Sequence, residues 1–170
     1  LDAWNFTTAP FDETTRIFGP GNLRLWISST ATEAQIVAFL TDVAPDGTST
    51  QVSFGQLIAS HRALDETPCS SLKVEDCSVY IDGELIQPWH PYTKNAQSPL
   101  TVGQLYEVQI EMNPAFMELK PGHRLRLSIK TGNSPAFNPA PPIRAAATGG
   151  VTTVISDPAH PSMLVLGILR

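Results

Sequence analysis

Four histidines, two cysteines and sixteen acidic side chains are the groups of this 170-residue chain, besides its serines, with acid–base, redox or metal chemistry to offer. A serine nucleophile on an α/β sheet needs the Gly-x-Ser-x-Gly elbow, a strained strand-to-helix turn that lifts the hydroxyl clear of the backbone. The nearest approaches, Gly47-Thr48-Ser49 and Gly132-Asn133-Ser134, lack the second glycine and that context. No His-Glu-x-x-His, Walker loop or Gly-x-Gly-x-x-Gly occurs either. No catalytic residue, cofactor site or metal site is therefore assigned.

The histidines divide by their neighbours. His123 follows the Pro121-Gly122 turn and opens a strand, which suits a hydrogen-bonding role. His90 and His160 each precede a proline, which holds them extended in loops, and they are too far apart in sequence for a local metal-ligand spacing. His61 lies in Ser60-His61-Arg62-Ala63 close to Asp65, and the three predict a charge-paired structural corner. Asp42 and Asp46 flank Pro45 in a turn; Asp65-Glu66 and Glu75-Asp76 read as solvated charge.

Cys69 and Cys77 are the only cysteines. Their placement in one polar segment favours a bridge over two isolated buried thiols, and a loop this short is constrained by about 2–3 kcal/mol on closure. A bridge would place the protein in an oxidising compartment, extracellular or periplasmic; without it a cytoplasmic location is expected. Asn5-Phe6-Thr7 has the pattern of a glycosylation acceptor. Trp89-His90-Pro91-Tyr92 offers rings that either stack on sugar or dock on a neighbouring domain. Without a second tryptophan at strand spacing, docking by Trp89, His90 and Tyr92 is the favoured reading.

The elements that must carry these groups are strands. Residues 106–112 alternate apolar and polar, as do 124–130, with Leu125, Leu127 and Ile129 inward, and so does the run from Leu23 to Ser28. Period two marks half-buried antiparallel strands. Residues 35–43 form a nearly continuous apolar run, and 15–18, 51–60, 152–156 and 163–169 are further candidates. Turns are expected at Gly19-Pro20-Gly21, Pro45-Asp46-Gly47, Lys120-Pro121-Gly122 and Gly149-Gly150. Residues 64–99 and 133–148 read as long loops, and loops of that length are usually functional or cover another surface. The expected fold is a single all-β domain over residues 1–170, an antiparallel sandwich or jelly roll.

Eleven basic residues against sixteen acidic ones give a net charge of −5, which disfavours nucleic acid as a partner. No apolar run reaches the length of a helical membrane span. Leu1-Asp2-Ala3-Trp4 has neither an initiator methionine nor a signal-peptide pattern, as expected of a processed chain or a piece of a longer one.

Six segments occur in a telling order. Gly19-Pro20 precedes Leu23-Arg24-Leu25-Trp26, and Asp42-Val43-Ala44-Pro45-Asp46-Gly47 follows. Then come Ser60-His61-Arg62-Ala63-Leu64-Asp65, His90-Pro91-Tyr92-Thr93, the run from Lys120 to Leu127, and Asp157-Pro158-Ala159-His160-Pro161-Ser162. Together, over nearly the whole chain, they resemble the C-terminal non-catalytic domain of the X-Pro dipeptidyl-peptidase and cocaine-esterase-like serine hydrolases. The resemblance implies a galactose-binding-like jelly roll packed on an α/β-hydrolase domain, which supplies the Ser-Asp-His triad. The segment holding Cys69 and Cys77 looks like an insertion, and Gly167 stands where many relatives have proline. The expected role is an accessory domain, not itself an enzyme, that helps shape access to the neighbouring active site. The alternative is a carbohydrate-binding module, since one fold hosts many functions.

Overall fold

Alternation builds the main strands. The computed structural model describes residues 3–73, 75–131 and 140–169. Among these described residues ten strands run in chain order: β1 (Trp4–Thr7), β2 (Thr15–Ser29), β3 (Gln35–Val43), β4 (Ser49–Ile58), β5 (Val79–Ile81), β6 (Glu84–Gln87), β7 (Tyr106–Leu119), β8 (Arg124–Thr131), β9 (Thr152–Ile155) and β10 (Met163–Leu169). In β2 the buried Leu23, Leu25 and Ile27 alternate with Arg24, Trp26 and Ser28; in β7 Val108, Ile110 and Met112 do the same. Both pleats thus put one face on a common core, which also takes Leu40 of β3, Leu57 of β4 and Ile129 of β8.

The main sheet is antiparallel, in the order β1-β8-β3-β4-β7-β2-β10, with β9 also pairing β2. Between β4 and β7 the ladder shrinks to one pair, Gly55 with Met112, and there the sheet curls over into a sandwich. Gly55 is required at this crease, because a Cβ would strike the Glu111 carbonyl and the Met112 sulfur. Gly55→Ala is expected to cost about 1–3 kcal/mol by overpacking. That should lower the thermal midpoint by several degrees, and an unchanged melt would remove the crease from the argument.

Four expectations change. Residues 15–18 and 23–28 belong to one strand, because Gly19-Pro20-Gly21 makes a bulge and not a turn. Gly19 pairs Ala115 and Gly21 pairs Met112, so Pro20 faces both Asn113 and Pro114, where neither proline needs a ladder donor. For the same reason β7 continues past Met112 to Leu119. Residues 64–99 are not all loop: β5 and β6 form a hairpin whose two-residue turn, Asp82-Gly83, has positive φ at both positions. Part of 133–148 is a short helix, α1 (Pro141–Ala147), started by proline in its first turn, while 133–139 lie outside the described residues. Leu127 points inward as expected, packed against the core, and is half-buried there.

The hairpin covers the outer face of β2. Leu85 and Ile86 are buried against it, and Asn22 Nδ2 donates to the Leu85 carbonyl at 3.0 Å. Arg24 pairs with Glu84 at 3.4 Å and with Glu107 at 3.5 Å, and Gln87 Nε2 donates to Glu111 at 2.6 Å. Such a polar weld fixes the excursion against β2 and β7.

Candidate functional site

Two features of this frame stand out, and several sequence-selected groups gather on the first. The first is a corner where β4 ends. A 3₁₀ turn, Ala59–His61, follows β4 and aims the next side chains outward. Its start is held by Glu33, buried at 4% exposure, whose Oε1 accepts from the N–H groups of Ala34 and Ser60 at 3.0 and 2.9 Å. Arg62 donates to the Ser98 carbonyl at 2.6 Å and lies 4.3 Å above the centre of the Tyr106 ring. Asp65 turns instead to Thr67, whose hydroxyl and N–H hold its carboxyl below the usual carboxylate range. The charge-paired corner of His61, Arg62 and Asp65 is therefore corrected: the 3₁₀ turn carries Arg62 to the 96–106 side while Asp65 opens the next turn.

Tyr92 stands between two histidines. Its ring centre is 5.8 Å from that of His61 and 5.6 Å from that of His90. Its φ of 49° lies in the left-handed region, which costs a non-glycine residue about 1–2 kcal/mol. Half of its surface is open, while burial of the remainder, and then the Glu111 carboxylate, push its hydroxyl above the ordinary tyrosine range. His90 is not at the surface. It is 1% exposed, with Nδ1 3.1 Å from the Ala63 carbonyl and Nε2 2.8 Å from the Gln109 carbonyl. It anchors the excursion to β7 from beneath, and Trp89 is half-buried beside it.

The Cys69–Cys77 disulfide is formed, with a Cα–Cα separation of 5.0 Å. Ser78 links it to the corner: its Oγ donates to the Asp65 carbonyl at 2.7 Å and accepts from Trp89 N–H at 3.1 Å. Asp65 N–H in turn donates to the Trp89 carbonyl at 3.0 Å. Reduction is thus expected to loosen residues 65–92 while the main strands keep their protection, because closing so short a loop contributes only about 2–3 kcal/mol. Hydrogen exchange with and without reductant reads both regions. Loss of protection throughout the sheet would make the bridge a staple of the core.

The remaining motif residues hold the frame. His123 Nδ1 lies 2.8 Å from Asp42, joining the start of β8 to the end of β3. Asp157 accepts from the N–H groups of Ala159 and His160, the latter holding its carboxyl below the usual range, and the His160 ring meets Trp26 edge-on at 4.8 Å. Ser162 Oγ donates to the Ile155 carbonyl and accepts from Trp26 N–H. Asn5 is exposed on β1, its Oδ1 accepting from Ser128 Oγ at 2.6 Å. Among the described residues no three His, Cys, Asp or Glu side chains are grouped to hold a metal, and no helix is long and apolar enough to cross a membrane.

The second feature escaped the sequence reading. An apolar cleft of about 740 Å³ opens between the two edges of the curled sheet, with Phe6 of β1 and Leu127 of β8 on one side and Leu164 and Leu166 of β10 on the other. No local pattern marks it, since it arises from where distant strands stop.

Fold and motifs define a class of protein, and comparison agrees: residues 2–165 match the family described as the X-Pro dipeptidyl-peptidase C-terminal non-catalytic domain, and the chain belongs to that family. The particular relatives are larger hydrolases. The cocaine esterase of Rhodococcus is 25% identical over 182 residues, spanning 99% of this chain but 26% of its own length. A Mycobacterium bovis protein bearing a serine-esterase name is 27% identical over 132 residues, 78% of this chain and 19% of its own length. The fold is shared with a CocE/NonD family hydrolase from Staphylococcus aureus, at TM-score 0.76 and 22% identity over 99% of this chain and 30% of that one. The chain therefore spans between about a fifth and a third of each relative, and the family to which it belongs is non-catalytic.

Proposed function

We propose that the chain is the accessory domain of a serine hydrolase acting on X-Pro peptides, esters or acyl compounds. In this reading it packs on the α/β-hydrolase domain of the same parent protein and helps shape access to its active site. One observation carries the proposal: three of the four histidines in the motifs behind the resemblance are occupied in holding the fold together. His123 is held by Asp42, His90 by two backbone carbonyls, and His160 by Asp157. Among the described residues none of the three is hydrogen-bonded to a serine or cysteine as a nucleophile's base would be. Tyr92, held in a costly backbone conformation and half-open, is the docking residue of the corner, with Trp89 beside it and His90 as the buried anchor. A sugar platform wants coplanar rings, whereas the exposed pair Phe18 and Phe116 stand edge-on at 84°.

The test is an assay of residues 1–170 with p-nitrophenyl esters and X-Pro chromogenic peptides, beside a reading of the gene upstream of Leu1. The expected results are no turnover, and an upstream hydrolase domain with a nucleophile elbow. Turnover by the 170 residues that a serine-directed inhibitor abolishes would overturn the proposal.

A further inference from the structure

The sequence and the burial of β10 disagree. Met163-Leu164-Val165-Leu166-Gly167-Ile168-Leu169 is apolar without alternation, the pattern of a strand covered on both faces. Yet no residue of β10 is buried, and Met163, Ile168 and Leu169 are 38%, 48% and 53% exposed. The strand at the other end of the sheet alternates apolar and polar residues, yet its apolar Trp4 and Phe6 are also open, at 39% and 53%. β1 and β10 end the strand order, so each has one edge without a ladder partner among the described residues. Natural sheets cover, shorten or charge such edges. β10 carries no charge over the seven residues of its length.

The cleft between these two edges has core residues for its floor, including Leu23, Leu25 and Leu40. Its volume of about 740 Å³ is that of a ligand pocket, but its lining is apolar apart from Thr7, Thr8, Ser156 and Ser162, whose oxygens already accept hydrogen bonds within the chain. Ser162 Oγ serves Trp26 and Ile155, Thr8 Oγ1 accepts from Leu125 N–H, and Ser156 Oγ accepts from Ser162 N–H. What fits must therefore be apolar where it enters the cleft. A hydrocarbon chain would meet that demand and leave the rim's backbone N–H and C=O groups unpaired. An extended peptide meets both, adding a strand to the edge while its alternate side chains fill the space below.

We infer that the seam between β1 and β10 seats an extended, apolar segment of the parent chain from outside residues 1–170, paired with the free edge of β10. This rests on the reading above that the chain is part of a larger hydrolase. The relatives supply the reason to look within the same polypeptide, since 70% or more of each lies outside the region matched. A second folded copy brings another edge to β10 but no free segment to enter the cleft.

The experiment uses the full-length parent protein. A photo-reactive p-benzoylphenylalanine replaces Met163 at the rim, the protein is irradiated, and the cross-linked peptide is identified by mass spectrometry. The expected adduct is intramolecular, to a segment outside residues 1–170 with apolar residues at alternate positions. In parallel, β10 amides should exchange at least about 100-fold more slowly in the parent than in residues 1–170 alone, as new ladder bonds require. An adduct confined to residues 1–170, an adduct to a second copy, or equal exchange in the two proteins would overturn the inference. The outcomes separate the two readings. A parent with a nucleophile elbow but an open β10 edge sinks only the seam. A parent without an elbow whose β10 is cross-linked and protected sinks only the hydrolase role.

Discussion

Aspartate in place of Ile129 is expected to unfold the domain, while aspartate in place of Leu127, two residues earlier on the same strand face, leaves it folded. Ile129 is 1% exposed and lies between Ala38 of β3 and Trp4 of β1 in the ladder. An unpaired carboxylate there has no water and no donor, a cost of several kcal/mol against a total stability of about 5–15 kcal/mol. Both residues line the cleft, Ile129 in its closed floor, but Leu127 is half-buried, so a carboxylate there keeps part of its hydration. Urea denaturation followed by circular dichroism distinguishes the pair. A cooperative, wild-type-like transition for Ile129→Asp would show that the inner register of β8 is wrong.

The second large effect belongs to His90. Phenylalanine has nearly its shape but no ring N–H, so His90→Phe strands the one carbonyl, Ala63 or Gln109, to which a neutral imidazole donates. Stranding a buried acceptor costs about 1–3 kcal/mol. For a domain of this length each kcal/mol moves the midpoint by about 2–4 °C, so the melt should fall by about 2–12 °C. Proteolysis should meanwhile become faster within residues 64–99 before it does elsewhere. A variant that melts like the parent sequence and resists cleavage equally would show that His90 does not anchor the excursion.

What could be read from the residues was whatever is decided locally. The alternation around Leu23, Ile110 and Leu125 placed three strands and their inner faces because one face of each pleat meets the core and the other meets water. Gly19-Pro20-Gly21 misled because bulges and turns use the same residues; only the partner strand, with Asn113 and Pro114 opposite Pro20, tells them apart. Asp82-Gly83 was a legible hairpin signal, overlooked in a stretch otherwise short of alternation. The burial of His90 was not legible, since a histidine before proline looks like a loop residue until β7 supplies the Gln109 carbonyl. Glu33 was equally hidden, because its acceptors' partners lie on two separate stretches of chain. The resemblance to the hydrolase family supplied the class and the expectation of a larger parent, which spacing alone did not.

The hydrogen bond from Asp65 N–H to the Trp89 carbonyl means that the chain leaves the sheet's neighbourhood and returns to it at nearly one point. A segment tethered in this way is indifferent to its own length, because doubling a loop costs only about 0.6 kcal/mol in closure entropy. Leu72, 98% exposed, sits at its far tip in the turn closed by Ser70 and Lys73. This tip is the place where residues can be gained or lost over evolutionary time while the strands stay in register. It is equally where an epitope or a fluorescent tag can be spliced in without the sandwich sensing the addition.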